Sequence, residues 1–172
     1  MNRSILIIFL FASSTISGCL GGEEEASDDM VLLPILEDPC LSPSSLMTQS
    51  LTSIEVNGVE REFRLSAPSS EPGTRLPLVI AFHGGTDSQE DFAQQEQFDQ
   101  LGEQEKFIMA YAIAEQDRTA AEGEWFLNTA ATSEEDNNFA EAIVDELSES
   151  YCIDQDRLYA IGYSLGAMFT YE

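Results

Sequence analysis

Residues 157–169 read RLYAIGYSLGAMF, and most of what can be predicted about the fold starts from them. The apolar pattern predicts a buried strand over Arg157–Ile161 and the start of a helix at Ala167–Phe169. Between these segments, residues 162–166 form a G-x-S-x-G pentapeptide. A strand, a tight turn flanked by glycines and a helix are the setting of a nucleophile elbow, in which the turn exposes a serine hydroxyl.

Ser164 is therefore the predicted catalytic nucleophile, whose Oγ would attack a carbonyl carbon. Gly162 and Gly166 would permit the tight turn, and the backbone N–H of Leu165 would stabilise the oxyanion that forms. Tyr163 lies beside the nucleophile and is a candidate substrate contact, although simple packing would also explain it. A glycine-serine turn without chemistry is the alternative interpretation of the same five residues.

A second apolar run, Leu76–Phe82, predicts a strand that is buried on both faces. An elbow enzyme needs a second backbone N–H donor from the loop after this strand, and Gly85 and Thr86 are two equal candidates. His83 is the only histidine of the chain. Because the general base follows the nucleophile along the chain in this type of enzyme, we expect His83, with Gly84, to support the oxyanion loop instead.

Hydrophobic periodicity and turn residues predict the remaining elements. Asn57–Gly58 lies between two alternating runs and predicts a β-hairpin over residues 50–65. Helices are predicted over Glu96–Lys106 and Asn138–Tyr151, and a strand over Phe107–Ala112. Strands that alternate with helices predict an α/β fold, with a mostly parallel sheet, helices on both faces and the N-terminal hairpin as an antiparallel edge.

The first residues predict export and a lipid anchor. Arg3 precedes an apolar run over Ile5–Ala12, which is too short to span a membrane, and residues 16–19 read ISGC. This ending resembles the bacterial lipobox, whose cysteine carries the lipid. Residues 1–18 are thus the predicted signal peptide and Cys19 the predicted lipidation site, which would anchor the protein at the outer membrane or the cell surface. An ordinary secretory peptide is the alternative.

The mature chain is predicted to divide into a tether over residues 19–47 and a domain over residues 48–172. The tether begins with a segment rich in Gly, Glu, Asp and Ser, which is typical of a flexible, self-repelling linker. Export to an oxidising compartment would allow Cys40 and Cys152 to form a disulfide. They could pair with each other, pair with cysteines outside this chain, or stay reduced.

Composition limits the partners that the chain can bind. It has 7 Lys and Arg against 32 Asp and Glu, a net charge of −25, which would repel nucleic acid and anionic lipid. The predicted membrane contact is therefore the lipid on Cys19 alone. The sequence has no ligand spacing typical of a metal site and no glycine-rich phosphate loop, so we expect neither a metal nor a cofactor.

Two further sets of side chains are ambiguous from sequence. Trp125 would line an acyl or aromatic pocket, or it would belong to the core. Asp136, Asp145 and Asp154 precede Ser164, which is the wrong chain order for the acid of a triad. We therefore expect these carboxylates on a solvated helix face or in a cap.

Two segments resemble secreted polyhydroxybutyrate depolymerases and feruloyl esterases. They are residues 76–93, LPLVIAFHGGTDSQEDFA, and residues 151–168, YCIDQDRLYAIGYSLGAM. The resemblance extends from about Ser50 to Glu172 and implies an α/β-hydrolase fold that cleaves carboxylic esters through an acyl-enzyme on Ser164. It implies either polyhydroxyalkanoate-type polyesters or feruloyl and acetyl esters of polysaccharide as substrates. Ala167 departs from the glycine that many members have there.

The same resemblance implies that the catalytic acid and histidine follow the elbow. This sequence extends eight residues past Ser164, so we expect a fold truncated after the elbow and a catalytic acid and histidine beyond residue 172. Two other functions stay open. The fold could carry a peptidase or an acyltransferase, since the elbow does not choose the acyl acceptor, or it could be a non-catalytic surface lipoprotein that binds ligand.

Overall fold

One mixed sheet of five strands carries the fold. The computed structural model describes residues 38–42, 44, 46–85, 92, 97–115, 125–127 and 134–171, which belong to one compact unit, Leu36–Glu172. The strands are β1 (Thr48–Val56), β2 (Val59–Ala67), β3 (Leu76–Phe82), β4 (Ile108–Ala112) and β5 (Ile153–Gly162), in the sheet order β1-β2-β4-β3-β5. The helices are α1 (Phe98–Glu105), α2 (Glu134–Ser150) and α3 (Leu165–Phe169), and Pro39–Leu41 form a 3₁₀ turn.

The predicted hairpin is present and is slightly longer than expected. β1 and β2 pair antiparallel from Val56 opposite Val59 to Thr48 opposite Ala67. Asn57 and Gly58 connect the strands with φ angles of 53° and 83°. Positive φ at both central residues is what a two-residue hairpin turn requires, and Asn-Gly provides it at little cost.

The other three strands form the parallel part of the sheet. β3 lies at its centre and pairs in parallel with β4 on one side and with β5 on the other. β2 joins the opposite edge of β4 in antiparallel orientation, so the hairpin extends the sheet at that side. The α/β fold with an antiparallel N-terminal hairpin is thereby confirmed.

Helices cover both faces of the sheet, as the alternation of β3 side chains requires. Ile80 and Phe82 belong to the larger core cluster, whose helical members on α2 and α3 are Phe139, Ile143, Leu147 and Phe169. Ala81, between them, belongs to a second cluster against which Phe98 of α1 packs. Burial of each large apolar side chain stabilises the fold by about 1.5–3 kcal/mol.

Two elements begin four residues before their predicted starts. α2 begins at Glu134, four residues before the predicted start, and its first turn contains Glu134, Glu135 and Asp136. Negative side chains in a first turn are stabilised by the partial positive charge of the helix N-terminus. β5 begins at Ile153, whereas the predicted strand began at Arg157. The extra residues belong to the strand because Ile153 already pairs with Leu76, before an irregularity in the register.

The last part of the predicted tether is attached to the domain. A disulfide joins Cys40 to Cys152, 112 residues further along the chain. Ser44 and Ser70 exchange two backbone hydrogen bonds of 3.0 and 2.8 Å. The segment from Asp38 onward therefore belongs to the domain, although the predicted boundary lay at residue 47. The predicted signal peptide and Cys19 lie outside the described residues, within which no helix is long and apolar enough to cross a membrane.

Candidate active site

Three loops leave the same edge of the sheet, at the carboxyl ends of the parallel strands. Phe82, the last residue of β3, pairs with Ala112 on β4 and with Gly162 on β5. The loops that begin at His83, Ile113 and Tyr163 therefore start side by side. Ligands of open α/β sheets bind at this edge, which makes it the candidate site.

Ser164 occupies a strained turn between β5 and α3. Its φ and ψ are 52° and −115°, a conformation that non-glycine residues rarely adopt and that costs about 1–3 kcal/mol. Tyr163 N–H donates to Phe82 O at 3.1 Å, and Gly166 N–H donates to Tyr163 O at 3.0 Å. These bonds hold the turn against the end of β3, and they leave the Ser164 side chain exposed.

Glycine at both ends of the pentapeptide is required by close packing. A Cβ at Gly162 would collide with the backbone of Gly166, and a Cβ at Gly166 would collide with the carbonyl oxygens of Phe82 and His83. Neither glycine needs a positive φ. Their small size lets the first turn of α3 lie directly on the end of β3, which brings the serine loop and the His83 loop together.

The backbone N–H groups without an acceptor among the described residues include two at this edge that the sequence predicted as oxyanion donors. They belong to Leu165, at the first position of α3, and to Gly85, in the loop after β3. The first N–H groups of a helix have no intrahelical acceptor, so Leu165 can donate to a ligand. These are two of the three predicted oxyanion donors, and the third, Thr86, lies outside the described residues.

His83 is buried, and both of its ring nitrogens contact backbone groups. Ala114 N–H donates to Nε2 at 3.2 Å, so Nε2 is the unprotonated nitrogen. Nδ1 therefore carries the proton and donates to the carbonyl oxygen of Gly84 at 2.7 Å. The ring therefore links the loop after β3 to the loop after β4. Accepting a proton at Nε2 would break the bond from Ala114, so this geometry suits a structural role.

The bond to Gly84 also orients the next amide. All the described peptide bonds are trans. In a trans peptide the C=O and the following N–H point in opposite directions. Because the Gly84 carbonyl is directed at the His83 ring, the Gly85 N–H is directed away from it. His83 thus determines the orientation of a predicted oxyanion donor.

Trp125 is 3% exposed and lies in the core between the loop after β3 and α3. Its indole N–H donates to His83 O at 2.9 Å. Its ring stacks on Phe169 of α3, with ring centroids 5.6 Å apart and an interplanar angle of 15°, and it meets Phe82 edge to face. Of the two roles left open by the sequence, the structure shows the core role for this side chain. Tyr163, in contrast, is 58% exposed beside Ser164.

Asp136 was expected on a solvated face or in a cap, and this expectation is wrong. Its side chain is fully buried and forms an ion pair of 3.0 Å with Arg61, whose guanidinium lies 4.1 Å from the centre of the Phe139 ring. It also accepts the Phe126 N–H at 2.7 Å. The sequence contained a signal for this. Arg61 is two and four residues before the apolar residues Phe63 and Leu65, so all three lie on the same face of β2 and face the core.

The other two carboxylates lie near the surface. Asp145 is exposed on α2. Asp154 pairs with Arg157 at 2.7 Å, and this hydrogen bond lowers the pKa of the Asp154 carboxyl. In the part of the chain that the structure describes, no group of three or more His, Cys, Asp or Glu could hold a metal ion.

Comparison with known proteins gives relatives that extend well beyond this chain. No family model matches the sequence. A protein named "Putative esterase NocK" from Nocardia uniformis subsp. tsuyamanensis is 29% identical over 133 residues, which are 73% of this chain and 37% of that protein. The bifunctional acetylxylan esterase/xylanase XynS20E from Neocallimastix patriciarum is 28% identical over 116 residues, which are 67% of this chain and 16% of that protein.

Solved structures share the fold at low sequence identity. An S-formylglutathione hydrolase from Agrobacterium tumefaciens has a TM-score of 0.59 and 14% identity, over 76% of this chain and 54% of that one. A ferulic acid esterase has a TM-score of 0.55 and 13% identity, over 70% of this chain and 52% of that one. The chain therefore has the α/β-hydrolase fold, and it spans about half of the length of these structures.

Proposed function

We propose that this chain is the nucleophile-bearing part of a serine ester hydrolase. Ser164 Oγ attacks the ester carbonyl, the alcohol leaves, and water then hydrolyses the acyl-enzyme. The observation that carries the proposal is the strained, exposed Ser164 at the carboxyl edge of the sheet, with φ and ψ of 52° and −115°. Strain of this kind persists where surrounding structure imposes it, and at this fold position it raises a serine above the sheet.

The proposed oxyanion hole consists of backbone N–H groups from both loops. Leu165 N–H supplies one donor from the first turn of α3. The loop after β3 supplies the other, from Gly85 or from Thr86. A single donor of this kind contributes about 10²–10³ in kcat in a serine hydrolase.

The catalytic histidine and acid are proposed to come from polypeptide that follows residue 172. His83 is engaged by Gly84 and Ala114, which leaves it unsuited to take the Ser164 proton. Leu158 and Tyr159 on β5 are 40% and 54% exposed, and β3 is the only described strand that pairs with β5. The longer relatives support a larger sheet that covers this edge and completes the triad.

The proposed substrates are carboxylic esters of the polysaccharide-linked type, such as acetyl or feruloyl esters. The acetylxylan esterase relative, at 28% identity, supports this class. Polyester substrates stay a prediction of the sequence resemblance. No cofactor is needed for this chemistry, because the nucleophile, the oxyanion donors and the triad partners are protein groups.

Export with a lipid on Cys19 is proposed for the location of the protein. The disulfide between Cys40 and Cys152 supports an oxidising compartment, since cytosolic proteins rarely keep such bonds. Metabolic labelling with palmitate, comparing the native protein with Cys19→Ser, tests the anchor. Label in the native protein but not in Cys19→Ser supports the lipid anchor. Absence of label in both proteins refutes it.

The test of the function uses the full-length protein and the Ser164→Ala variant. We expect hydrolysis of acetylated and feruloylated xylan fragments to fall at least about a thousandfold, because the nucleophile is lost. Ser148→Ala is the matched control, since Ser148 donates to Val144 O on α2. Undiminished turnover in Ser164→Ala would refute the proposal. Cleavage of amides or acyl transfer instead of hydrolysis would indicate the peptidase or acyltransferase alternative.

A further inference from the structure

Trp125 contacts both segments that carry the proposed oxyanion donors, the loop after β3 and α3. Its N–H reaches the His83 carbonyl, 2.9 Å away, and its ring stacks on Phe169 at the end of α3. The hydrogen bond fixes the direction of the His83 carbonyl, and the stacked rings bury a shared apolar surface between Trp125 and Phe169. One side chain therefore constrains the loop after β3 and the helix after the elbow at the same time.

The bond from Trp125 complements the bond from the His83 ring. Trp125 fixes the carbonyl of the His83–Gly84 peptide, and His83 Nδ1–H fixes the carbonyl of the Gly84–Gly85 peptide. Each peptide is planar, so fixing its carbonyl also fixes its N–H. Two consecutive peptide planes leading to Gly85 are thereby held by side-chain donors.

The His83 carbonyl oxygen, beside that of Phe82, also lies against the first turn of α3. A Cβ on Gly166 would collide with this oxygen, which shows how closely the first turn of α3 approaches it. Rotation of the His83 carbonyl would therefore disturb the position of α3 as well as the Gly84 amide. Trp125 thus bonds to a backbone atom that lies in the loop of one donor and against the helix of the other.

Trp125 itself is held from the other side. The next residue, Phe126, donates its N–H to Asp136 at 2.7 Å, and Asp136 is paired with Arg61 in the core. A buried, ion-paired carboxylate on α2 thus positions the segment that carries the indole. The indole of Trp125 is therefore held in place between the loop after β3 and α3.

We infer that Trp125 is a positioning residue for the oxyanion hole, which sets the spacing of the Leu165 and Gly85 N–H groups through its bond to the His83 carbonyl. This inference rests on the proposed function. Trp125 is buried, so we expect it to act through His83 and α3 and not by contact with substrate. Its effect is on transition-state stabilisation, so it acts on kcat and leaves KM unchanged.

The test is Trp125→Phe in the full-length protein, which keeps an aromatic ring and removes the N–H donor. We expect kcat for ester hydrolysis to fall about tenfold or more while KM stays within about twofold, because small displacements of catalytic groups cost about that much. Inactivation by an alkyl fluorophosphonate should slow in parallel, since its phosphoryl oxygen enters the same hole. Tyr111→Phe is the control, as it removes a partly buried O–H bond to Asp99 on the opposite face of the sheet.

A second variant separates the hydrogen bond from packing. β-(3-Benzothienyl)alanine at position 125 replaces the N–H with sulfur and keeps the shape of the ring, so it stays informative if Trp125→Phe does not fold. A loss of kcat in this variant supports the inference. Retention of kcat within twofold, or a loss no larger than that of Tyr111→Phe, overturns it. If Ser164→Ala is inactive in that case, the proposed function stands and only the role of Trp125 is refuted.

Discussion

At Ser164 the backbone adopts a conformation that a glycine would accept without strain. With φ at 52° and ψ at −115°, the Cβ of serine is what makes the turn costly. A strained serine at this position makes sense only if its hydroxyl has a function that glycine could not provide. Stability and activity should therefore respond in opposite directions when this Cβ is removed.

Ser164→Gly should be more stable than Ser164→Ala, although both lack the nucleophile. We expect a difference of about 1 kcal/mol in the free energy of unfolding, since relief of strain exceeds the entropy cost of glycine. Urea denaturation of the two variants side by side measures it. Equal stability, or a more stable alanine variant, would show that the turn is unstrained.

At the scale of elements, α1 is attached to the loop between β2 and β3 by one carboxylate. Glu103 accepts hydrogen bonds from Lys106 at 2.7 Å, from Ser69 Oγ at 2.6 Å and from Ser69 N–H at 2.8 Å. The bond from Lys106, followed by those from Ser69, lowers the pKa of Glu103 from 4.5 to about 2.

This lowered pKa predicts a pH-dependent contribution to stability. A carboxylate whose pKa is lower in the folded state stabilises the protein above its unfolded pKa and loses this effect as pH falls towards the folded pKa. Glu103→Gln should therefore lower Tm at pH 7, and the difference from wild type should shrink between pH 4.5 and pH 2. Glu105→Gln, on the exposed side of the same helix, is the control. A Tm difference that is independent of pH would contradict this explanation.

The ion pair between Arg61 and Asp136 connects β2 to α2 in the core. Asp136→Asn removes the buried carboxylate that pairs with Arg61 at 3.0 Å, so we expect a loss of about 3–5 kcal/mol in unfolding free energy. Replacing both residues with apolar ones, as in Arg61→Met with Asp136→Leu, should recover much of this loss. Chemical denaturation of the single and double variants checks both expectations. A double variant no more stable than Asp136→Asn would show that the loss does not come from the buried charge.

At the scale of the whole molecule, local patterns predicted the elements well. The hairpin follows from Asn57 and Gly58, whose positive φ angles are a property of those two residues. β3 matches its predicted range because seven consecutive residues, mostly apolar, form a strand buried on both faces. The elbow follows from glycine spacing, and the collisions predicted for Gly162 and Gly166 show why spacing alone carried that information.

Features that depend on distant partners were not predicted. Asp136 and Arg61 are 75 residues apart, and Trp125 and His83 are 42 residues apart. No local pattern encodes which buried donor meets which buried acceptor, so the ion pair was missed and the role of Trp125 stayed open. The attachment of the segment at Cys40 likewise depends on a cysteine 112 residues away.

The proposed function makes Ser164 the nucleophile of a complete hydrolase. The most direct measurement is the intact mass of the full-length protein after reaction with an alkyl fluorophosphonate, followed by peptide mapping of the adduct. We expect one adduct per molecule, located on the peptide that contains Ser164 and absent from Ser164→Ala. An adduct on another residue, or an active esterase that carries no adduct, would contradict it.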